Sequence, residues 1–348
     1  MPAPSRISRI SVIAPMLNEA PYVEQLAGDL AAQDFAGDVE VLVADGGSSD
    51  GSVSLLTEAA ERLGLTLKVL DNPAGWVSQG LNKCIAEATG DLIVRVDCHC
   101  LFPADYLRRC AETSEATGAD NVGGTPVASG RTPTERAVAT AMDSAFGGIG
   151  WSRNSAAAGP VEADTVTFGA FRPDVFDRVG VFDESLRRNQ DDEFNLRLRL
   201  RGGRIVLDPS IKPVYIPRGT LRGVFRQYFE YGRWKVPVMR KHRRVLGLRS
   251  LAPAVFVIWL VALVAAAPFW RPAAWALALT LLSYCGLALG FGLASLRRRR
   301  ESPFLLPRVC AAYFAFHGGY GVGMLRAFFP SRDNAPPAHP TAPRRLRS

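Results

Sequence analysis

The sequence predicts an α/β protein: a mostly parallel sheet flanked by helices, followed by a C-terminal transmembrane helical hairpin. Three observations predict it. Runs of strand and helix character alternate through residues 10–97, the order that builds a parallel sheet with helices on both faces. Two uncharged apolar runs, 250–270 and 273–296, each cover the roughly 20 residues that a bilayer core requires. Charge divides the chain at the same place. Residues 1–230 carry 23 Lys and Arg against 31 Asp and Glu, a net of −8, whereas residues 231–348 carry 18 against 2, a net of +16. The overall +8 therefore describes an acidic soluble domain joined to a basic membrane segment. A nucleic-acid partner is excluded, because it would want the positive charge on the folded domain.

The elements follow in order. Residues 10–14 are β-rich, and 22–33 show helical spacing of apolar residues. Residues 39–44 form a second strand ending at Asp45, 52–63 a helix, 65–70 a strand and 77–88 a helix that Gly90 stops. Residues 92–96 form a strand ending at Asp97, and Pro103 is placed to open the next helix at its first position. Ligands of such sheets bind beyond the carboxyl ends of the strands. Here those ends carry three polar motifs: residues 15–19, 45–51 and 97–99. No GxGxxG opens the first helix and no GxxxxGK[ST] occurs, which weakens a dehydrogenase reading and excludes a P-loop.

Asp45-Gly-Gly-Ser-Ser-Asp-Gly51 sets a carboxylate at a strand end, then glycines such as Gly47 that let backbone approach a ligand. Ser49 or Asp50 could cap the next helix, so a plain strand-to-helix turn is the alternative. In Asp97-Cys-His99, alternate residues of an extended segment face one side, so Asp97 and His99 can converge on one ion. A carboxylate with an imidazole suits Mn²⁺ better than a strict all-oxygen Mg²⁺ site. Gln190-Asp-Asp-Glu193 starts a helix that ends at Gly202-Gly203. Its carboxylates either cap the helix dipole or supply a general base. The glycine-rich segment 147–159 reads as a loop over the site. Arg95, Trp151, Arg153 and Asn154 lie near such loops without an assigned role.

In the C-terminal part, Arg240, Lys241, Arg243, Arg244 and Arg249 precede the first span and residues 297–300 are all Arg. Positive-inside logic puts both clusters in the cytosol and the Arg271-Pro272 tip outside. A third apolar stretch, 309–325, contains His317 and several glycines. It either spans the membrane, re-enters it or lies on its surface. No secretory signal is read at the start, since residues 10–17 are short and broken by Pro15. The six cysteines show no metal spacing and read as free thiols. The expected organisation is a cytosolic domain at 1–232, a basic juxtamembrane segment at 233–249, two transmembrane helices at 250–296, a basic loop with the third apolar segment at 297–330, and a disordered tail at 331–348.

Taken together, Pro15–Glu19, Asp45–Gly51, Asp97–His99, Phe168–Arg172, Asp183-Glu184, Gln190–Arg197 and Arg233-Trp234 fall in an order that resembles family 2 glycosyltransferases. Among them, the pattern is similar to the membrane-associated, succinoglycan-type (ExoA-like) glucosyltransferases. The resemblance covers about residues 8–250, and the apolar hairpin after it fits too.

This resemblance implies a GT-A type (Rossmann-like) fold and an inverting hexosyl transfer, glucose first, from a UDP-sugar to a polyprenyl-diphosphate-linked saccharide at the inner membrane. It implies that Pro15, Asn18 and Glu19 line the nucleoside site and that Asp45 accepts a hydrogen bond from uracil, with Gly47 and Asn82 in the same donor site. Asp97 and His99 would hold Mn²⁺ or Mg²⁺ against the diphosphate. Gly169 and Phe171 would shape the floor under donor sugar and acceptor, with Arg233 and Trp234 near the acceptor. Asp191 matches the catalytic base, with Asp192 its rival and Arg197 following at the usual spacing. Two departures stand out: His99 replaces the last aspartate of DxD, and Gln190 replaces a glutamate. They leave a catalytically weak membrane scaffold, binding nucleotide-sugar or other polysaccharide-synthesis enzymes, as the alternative. Glu230-Tyr-Gly-Arg-Trp234, with Gln227 one turn before Glu230, departs from the QxxRW of processive synthases.

Overall fold

A computed structural model describes residues 6–147, 158–244 and 248–329. Trp151, Arg153, Asn154, most of the glycine-rich segment and the whole predicted disordered tail lie outside the described residues. In chain order the strands are β1 (Arg9–Met16), β2 (Asp38–Asp45), β3 (Thr66–Asp71), β4 (Leu92–Arg95), β5 (Cys100–Leu101), β6 (Asn121–Gly124), β7 (Val127–Ala128), β8 (Val161–Glu162), β9 (Thr167–Phe171), β10 (Ile205–Asp208) and β11 (Val214–Tyr215). The soluble helices are α1 (Ala20–Ala31), α2 (Ser52–Leu63), α3 (Val77–Glu87), α4 (Tyr106–Thr117), α5 (Pro133–Met142), α6 (Asp174–Val179) and α7 (Gln190–Leu200). The long α8 (Leu221–His242) leads to α9 (Ala252–Ala266), α10 (Arg271–Arg299) and α11 (Leu306–Arg326).

The main sheet runs β3-β2-β1-β4-β9-β6-β10-β8. As expected from the alternating pattern, β1 pairs in parallel with β2 and β4, and β2 with β3. β9, from far downstream, then inserts antiparallel between β4 and β6. Its central residues are buried, and the apolar side chains of β1, β2 and β4 fill the two layers against the helices. Two local expectations are corrected. Pro103 does not start the next helix: it opens a turn, with the Tyr106 N–H donating to its carbonyl at 2.9 Å, and α4 begins at Tyr106. Neither Ser49 nor Asp50 is the N-cap of α2; Gly51 is, at φ 88°, a left-handed backbone that glycine adopts without strain.

The third apolar stretch is a packed helix. α11 lies along α8, with Tyr313 and Phe316 fully buried and Phe316 stacked on Tyr228 at 4.3 Å. Its glycines make this possible. A Cβ on Gly323 would sit 2.0 Å from the Phe229 carbonyl, and one on Gly232 would sit 2.0 Å from that of Tyr320. The helix backbones touch because both sides lack side chains there.

Two helical segments, Arg249–Ala266 and Arg271–Arg299, are long and apolar enough to cross a membrane. The basic run ending α10 does more than flank a span. Arg299 bonds the Asp143 carboxylate at 2.5 Å and the Ala128 carbonyl at 2.7 Å, Arg298 bonds the Asp143 carbonyl, and Arg136 pairs with Glu301. These contacts dock the apolar helices onto the end of α5.

Candidate active site

The loops after β1 and β2 are stitched together. Asn18 takes φ 54°, its N–H donates to Ser48 Oγ at 2.9 Å, and its Oδ1 accepts from Ser49 N at 2.9 Å. Glu19 N–H donates to Ser52 Oγ, and Ala20 N–H to Asp50 Oδ2. Asp45 accepts from the N–H groups of Gly47 and Ser48, each at 3.0 Å. Pro15, Asn18, Glu19, Asp45 and Gly47 therefore form one backbone-rich ledge at adjacent strand ends, as the motifs predicted.

At the end of β4, buried Arg95 joins two carboxylates that lie far apart in sequence. Its guanidinium reaches Asp97 Oδ1 at 3.1 Å and Asp191 Oδ2 at 3.7 Å. Alternation along the strand points Arg95 and Asp97 the same way, a signal that would have given Arg95 a role from sequence. His99 Nδ1 lies 3.3 Å from Glu19 Oε1. Burial opposes charging His99, but the Glu19 hydrogen bond and the Asp97 charge outweigh it and hold its pKa above the usual value. Cys98 and Cys100 turn into the core, where burial pushes both thiols up, and all six cysteines are free.

Three successive carboxylates at the start of α7 meet three fates. Glu193 is fully buried among Arg197 (3.0 Å), Lys241 (2.8 Å) and His242 (2.9 Å). Asp192 is held by Lys235 at 2.6 Å, a residue of α8 that sequence reasoning missed. Asp191 sits deep in the cleft beside Arg95, with 39% of its side-chain surface still open. Burial, then the Asp192 charge, push the Asp191 carboxyl above its ordinary value against the pull of Arg95. Asn189 fixes the start of the helix, with φ 59° and its Nδ2 bonded to the Tyr231 carbonyl of α8 at 3.0 Å.

These groups open on a cavity of about 2800 Å³ that runs from Trp76, Asp97 and Asp191 past Arg218, Arg226, Arg233 and Trp234 to α9, α10 and α11. Trp76, also missed, lines the cavity and carries the Arg187 guanidinium 4.4 Å over its ring. Gln227 bonds the hydroxyls of Tyr215 (2.9 Å) and Tyr231 (3.1 Å) in the same wall.

Eight predicted site residues do not line this cavity: Pro15, Asn18, Glu19, Asp45 and Gly47 stay on the ledge, and Asn82, Gly169 and Phe171 are taken up by the fold. Asn82 is buried: its Nδ2 donates to the Phe182 carbonyl and to Glu184, and its Oδ1 accepts from Phe182 N. It clamps a loop and has no group left for a nucleotide. Phe171 is buried with Phe176, Phe182 and Phe194 in the core. Gly169 leaves room for Asn121 Oδ1 and the Phe171 ring, 2.5 and 2.6 Å from where a Cβ would stand. The residues of β9 that line the cavity are Thr167 and Phe168, the latter at φ 53°. Trp234 does line the cavity, but it is 7% exposed, and its indole N–H bonds Glu230 at 3.1 Å.

The family model of "Glycosyl transferase family 2" matches residues 11–180, which contain both strand-end ledges and Asp97–His99. The succinoglycan biosynthesis protein ExoA of Rhizobium meliloti is 36% identical over 247 residues, 70% of this chain and 73% of that protein. The chain belongs to glycosyltransferase family 2. A second relative, the undecaprenyl-phosphate 4-deoxy-4-formamido-L-arabinose transferase of Klebsiella pneumoniae, is 32% identical over 120 residues, 34% of this chain and 36% of that protein. Among solved structures, the mannosyltransferase PcManGT of Pyrobaculum calidifontis, in complex with GDP-Man and Mn²⁺, superposes with a TM-score of 0.66 at 20% identity, covering 93% of this chain and 88% of that one. The fold is thus of GT-A type.

For a glycosyltransferase of this family the donor set at β4 fits a divalent ion bound chiefly through its ligand. Among the described residues no three His, Cys, Asp or Glu side chains form a cage. Asp97 and His99 offer one carboxylate and one imidazole, with His99 Nδ1 already turned to Glu19. Such a pair leaves the remaining positions of an ion to a bound ligand and water.

Proposed function

We propose that this glycosyltransferase moves a hexose, glucose foremost, from a UDP-sugar to a saccharide carried on a polyprenyl diphosphate, with inversion. The observation that carries the reading is the division of labour at the start of α7. Asp192 and Glu193 are claimed by cations at 3.0 Å or less, whereas Asp191 faces the cleft with Arg95 at 3.7 Å.

In this reading Asp191 takes the proton from the acceptor hydroxyl. The freed oxygen pair forms a bond to the anomeric carbon on the face opposite UDP, and the bond to the diphosphate oxygen breaks with its electrons leaving on UDP. A positioned base of this kind contributes about 10²–10⁴-fold. Arg95 keeps Asp191 and Asp97 in register. A divalent ion, Mn²⁺ or Mg²⁺, held by Asp97 and His99 would neutralise charge on the departing diphosphate. Pro15, Asn18, Glu19, Asp45 and Gly47 would receive the nucleoside, and Arg233 and Trp234 the acceptor.

The relatives support the setting. One is named for succinoglycan biosynthesis and another for transfer to undecaprenyl phosphate. We place α9 and α10 as a hairpin in the inner membrane, with the catalytic domain on the cytosolic side, where both arginine-rich ends would stay. Other polysaccharide-synthesis enzymes are candidate neighbours there.

The test is UDP release by the purified full chain with Mn²⁺, across UDP-sugars and a lipid-linked acceptor extract. Acceptor-stimulated release with one sugar, lost in Asp191→Asn and His99→Ala, is expected. UDP binding without release under any acceptor would replace this reading with the weak scaffold.

A further inference from the structure

The stretch that delivers Asp191 to the cleft has no regular structure of its own. Between α6 and α7, residues 180–189 form neither helix nor strand, so their backbone groups look to neighbouring elements for partners. α3 supplies them on one side. Ser78 and Asn82 stand one turn apart on its buried face. The Ser78 hydroxyl donates to the Leu186 carbonyl at 3.3 Å. Asn82 takes both backbone groups of Phe182, donating to its carbonyl and accepting from its N–H, each at 2.9 Å. At the cap of the same helix stands Trp76, with the Arg187 guanidinium over its ring.

α3 is itself built onto the ledge after β1 and β2. The Asp45 carbonyl accepts from Asn72 N–H at 2.8 Å, and Asn72 Nδ2 donates to the Trp76 carbonyl at 3.0 Å. Gly46 lies against Gly75: a Cβ on the former would stand 3.2 Å from the Cα of the latter. A continuous run of contacts therefore leads from Asp45 through Asn72 and α3 to residues 182–187, and Asp191 follows four positions later. On the other side α8 braces the same stretch. Lys241 meets Asp183 at 2.5 Å, Asn189 reaches the Tyr231 carbonyl at 3.0 Å, and Leu186 packs with Trp234 and Val238.

We propose that α3 positions the base relative to the donor: Asn82, helped by the Trp76–Arg187 stack, sets the place of Asp191 through residues 182–189. Asn82 does not line the cavity, so it acts through this stretch and is a positioning residue. The inference rests on the reading of Asp191 as the base and says what fixes that base in the frame of the ledge. It differs in outcome from a role of Asn82 in stability alone. A residue that only stabilises the fold affects turnover alike whether or not Asp191 is present. A residue that positions Asp191 has nothing left to position once that carboxylate is gone.

The experiment is a double-mutant cycle on the full chain in phosphatidylcholine nanodiscs, read as UDP release from UDP-sugars with a lipid-linked acceptor extract. Asn82→Ala should lower kcat about 10²-fold, as misplacing a reacting group by an ångström does, with UDP affinity and acceptor KM held. In the Asp191→Asn background the same change should lower the residual rate by no more than about twofold. Trp76 is half-buried and Arg187 exposed, so Trp76→Leu and Arg187→Met leave the core intact. Each should lower kcat about two- to fivefold, the size of an exposed cation–π contact, and the two together no further than either alone. These two variants decide the matter if Asn82→Ala does not fold, which its UDP binding reports; kcat unchanged in both overturns the proposal. Release lost in Asp191→Asn, but cut equally by Asn82→Ala in both backgrounds, sinks the positioning role alone. Release that Asp191→Asn leaves intact, or UDP binding with no release from any donor, sinks the base reading and this inference with it.

Discussion

The two ends of the cavity treat charge in opposite ways. At the strand ends every charged group named in the site has a partner: Arg95 with Asp97 and Asp191, Glu19 with His99, Lys235 with Asp192. Toward the apolar helices, Arg226, Arg244 and Arg249 meet no carboxylate among the described residues. A network with its countercharges built in is preorganised for chemistry, since nothing must reorganise when charge moves. Cations with no countercharge built in are left for solvent or an anionic ligand to neutralise. The first end should therefore fail in kcat when broken, and the second in acceptor affinity.

The sharpest break is Asp191→Asn. It should lower kcat by about 10²–10⁴-fold, the share of a general base, while UDP binding persists. Its stability should move the other way. A carboxyl whose folded pKa is raised binds its proton more tightly in the folded state, so it costs stability once pH passes that value. The neutral isostere removes that cost, and its melting temperature at pH 7 should exceed the wild type's. A variant both inactive and less stable would show that Asp191 holds structure. Arg95→Ala comes next. It frees Asp97 and Asp191 from each other, and misplacing a reacting group by an ångström costs about 10²-fold. Arg95→Lys should recover only part, because an ammonium cannot span both carboxylates as a planar fork does. Equal kcat in wild type and Arg95→Ala would end the idea that this bridge matters.

Much of the first end was legible because its motifs are local. Residues 52–63 form α2 within the predicted bounds, and the ledges after β1, β2 and β4 sit where strand-end logic put them. What stayed hidden depends on pairing across long stretches of chain. β9 enters the sheet antiparallel between β4 and β6, so Gly169 and Phe171 fall into the core, which no local periodicity announces. Asn82 reads as a polar site residue on a helix face, yet the loop it clamps lies a hundred positions downstream. Residues 309–325 read as an apolar stretch that spans, re-enters or lies on the membrane, but nothing local said that its glycines meet other helices: Gly319 and Gly323 face the Phe225 and Phe229 carbonyls of α8, and Gly321 that of Pro253 in α9. Lys235 became visible only once α8 was seen to cross α7.

The α8–α11 contact joins the two ends, and it offers a milder break. Gly323→Ala sets a methyl 2.0 Å from the Phe229 carbonyl, so the helices must part. Overpacking of this kind costs about 1–3 kcal/mol, to be read from denaturant unfolding of the full chain in micelles. Because α8 carries Lys235 and the cavity's Arg226 and Arg233, acceptor KM should rise more than kcat falls. The opposite split would mean that α11 supports the catalytic end instead.

The smallest effect tests the electrostatics of the paired end. Asp191 must be ionised to accept a proton, so kcat should fall as pH drops through its raised pKa, and the acid limb should lie above the range of an ordinary aspartate. Lys235 neutralises the neighbouring Asp192 at 2.6 Å. With Lys235→Met, Asp192 keeps its negative charge without a counterion and repels the Asp191 carboxylate more strongly. That favours the protonated form, so the acid limb should move to still higher pH, by a fraction of a unit for charges sharing a water-accessible cleft. Raising the salt concentration should shrink the displacement, because the added repulsion is screened. A limb that stays in place would mean that Arg95 alone sets the charge on Asp191, and would confine the coupling to the β4 side of the site.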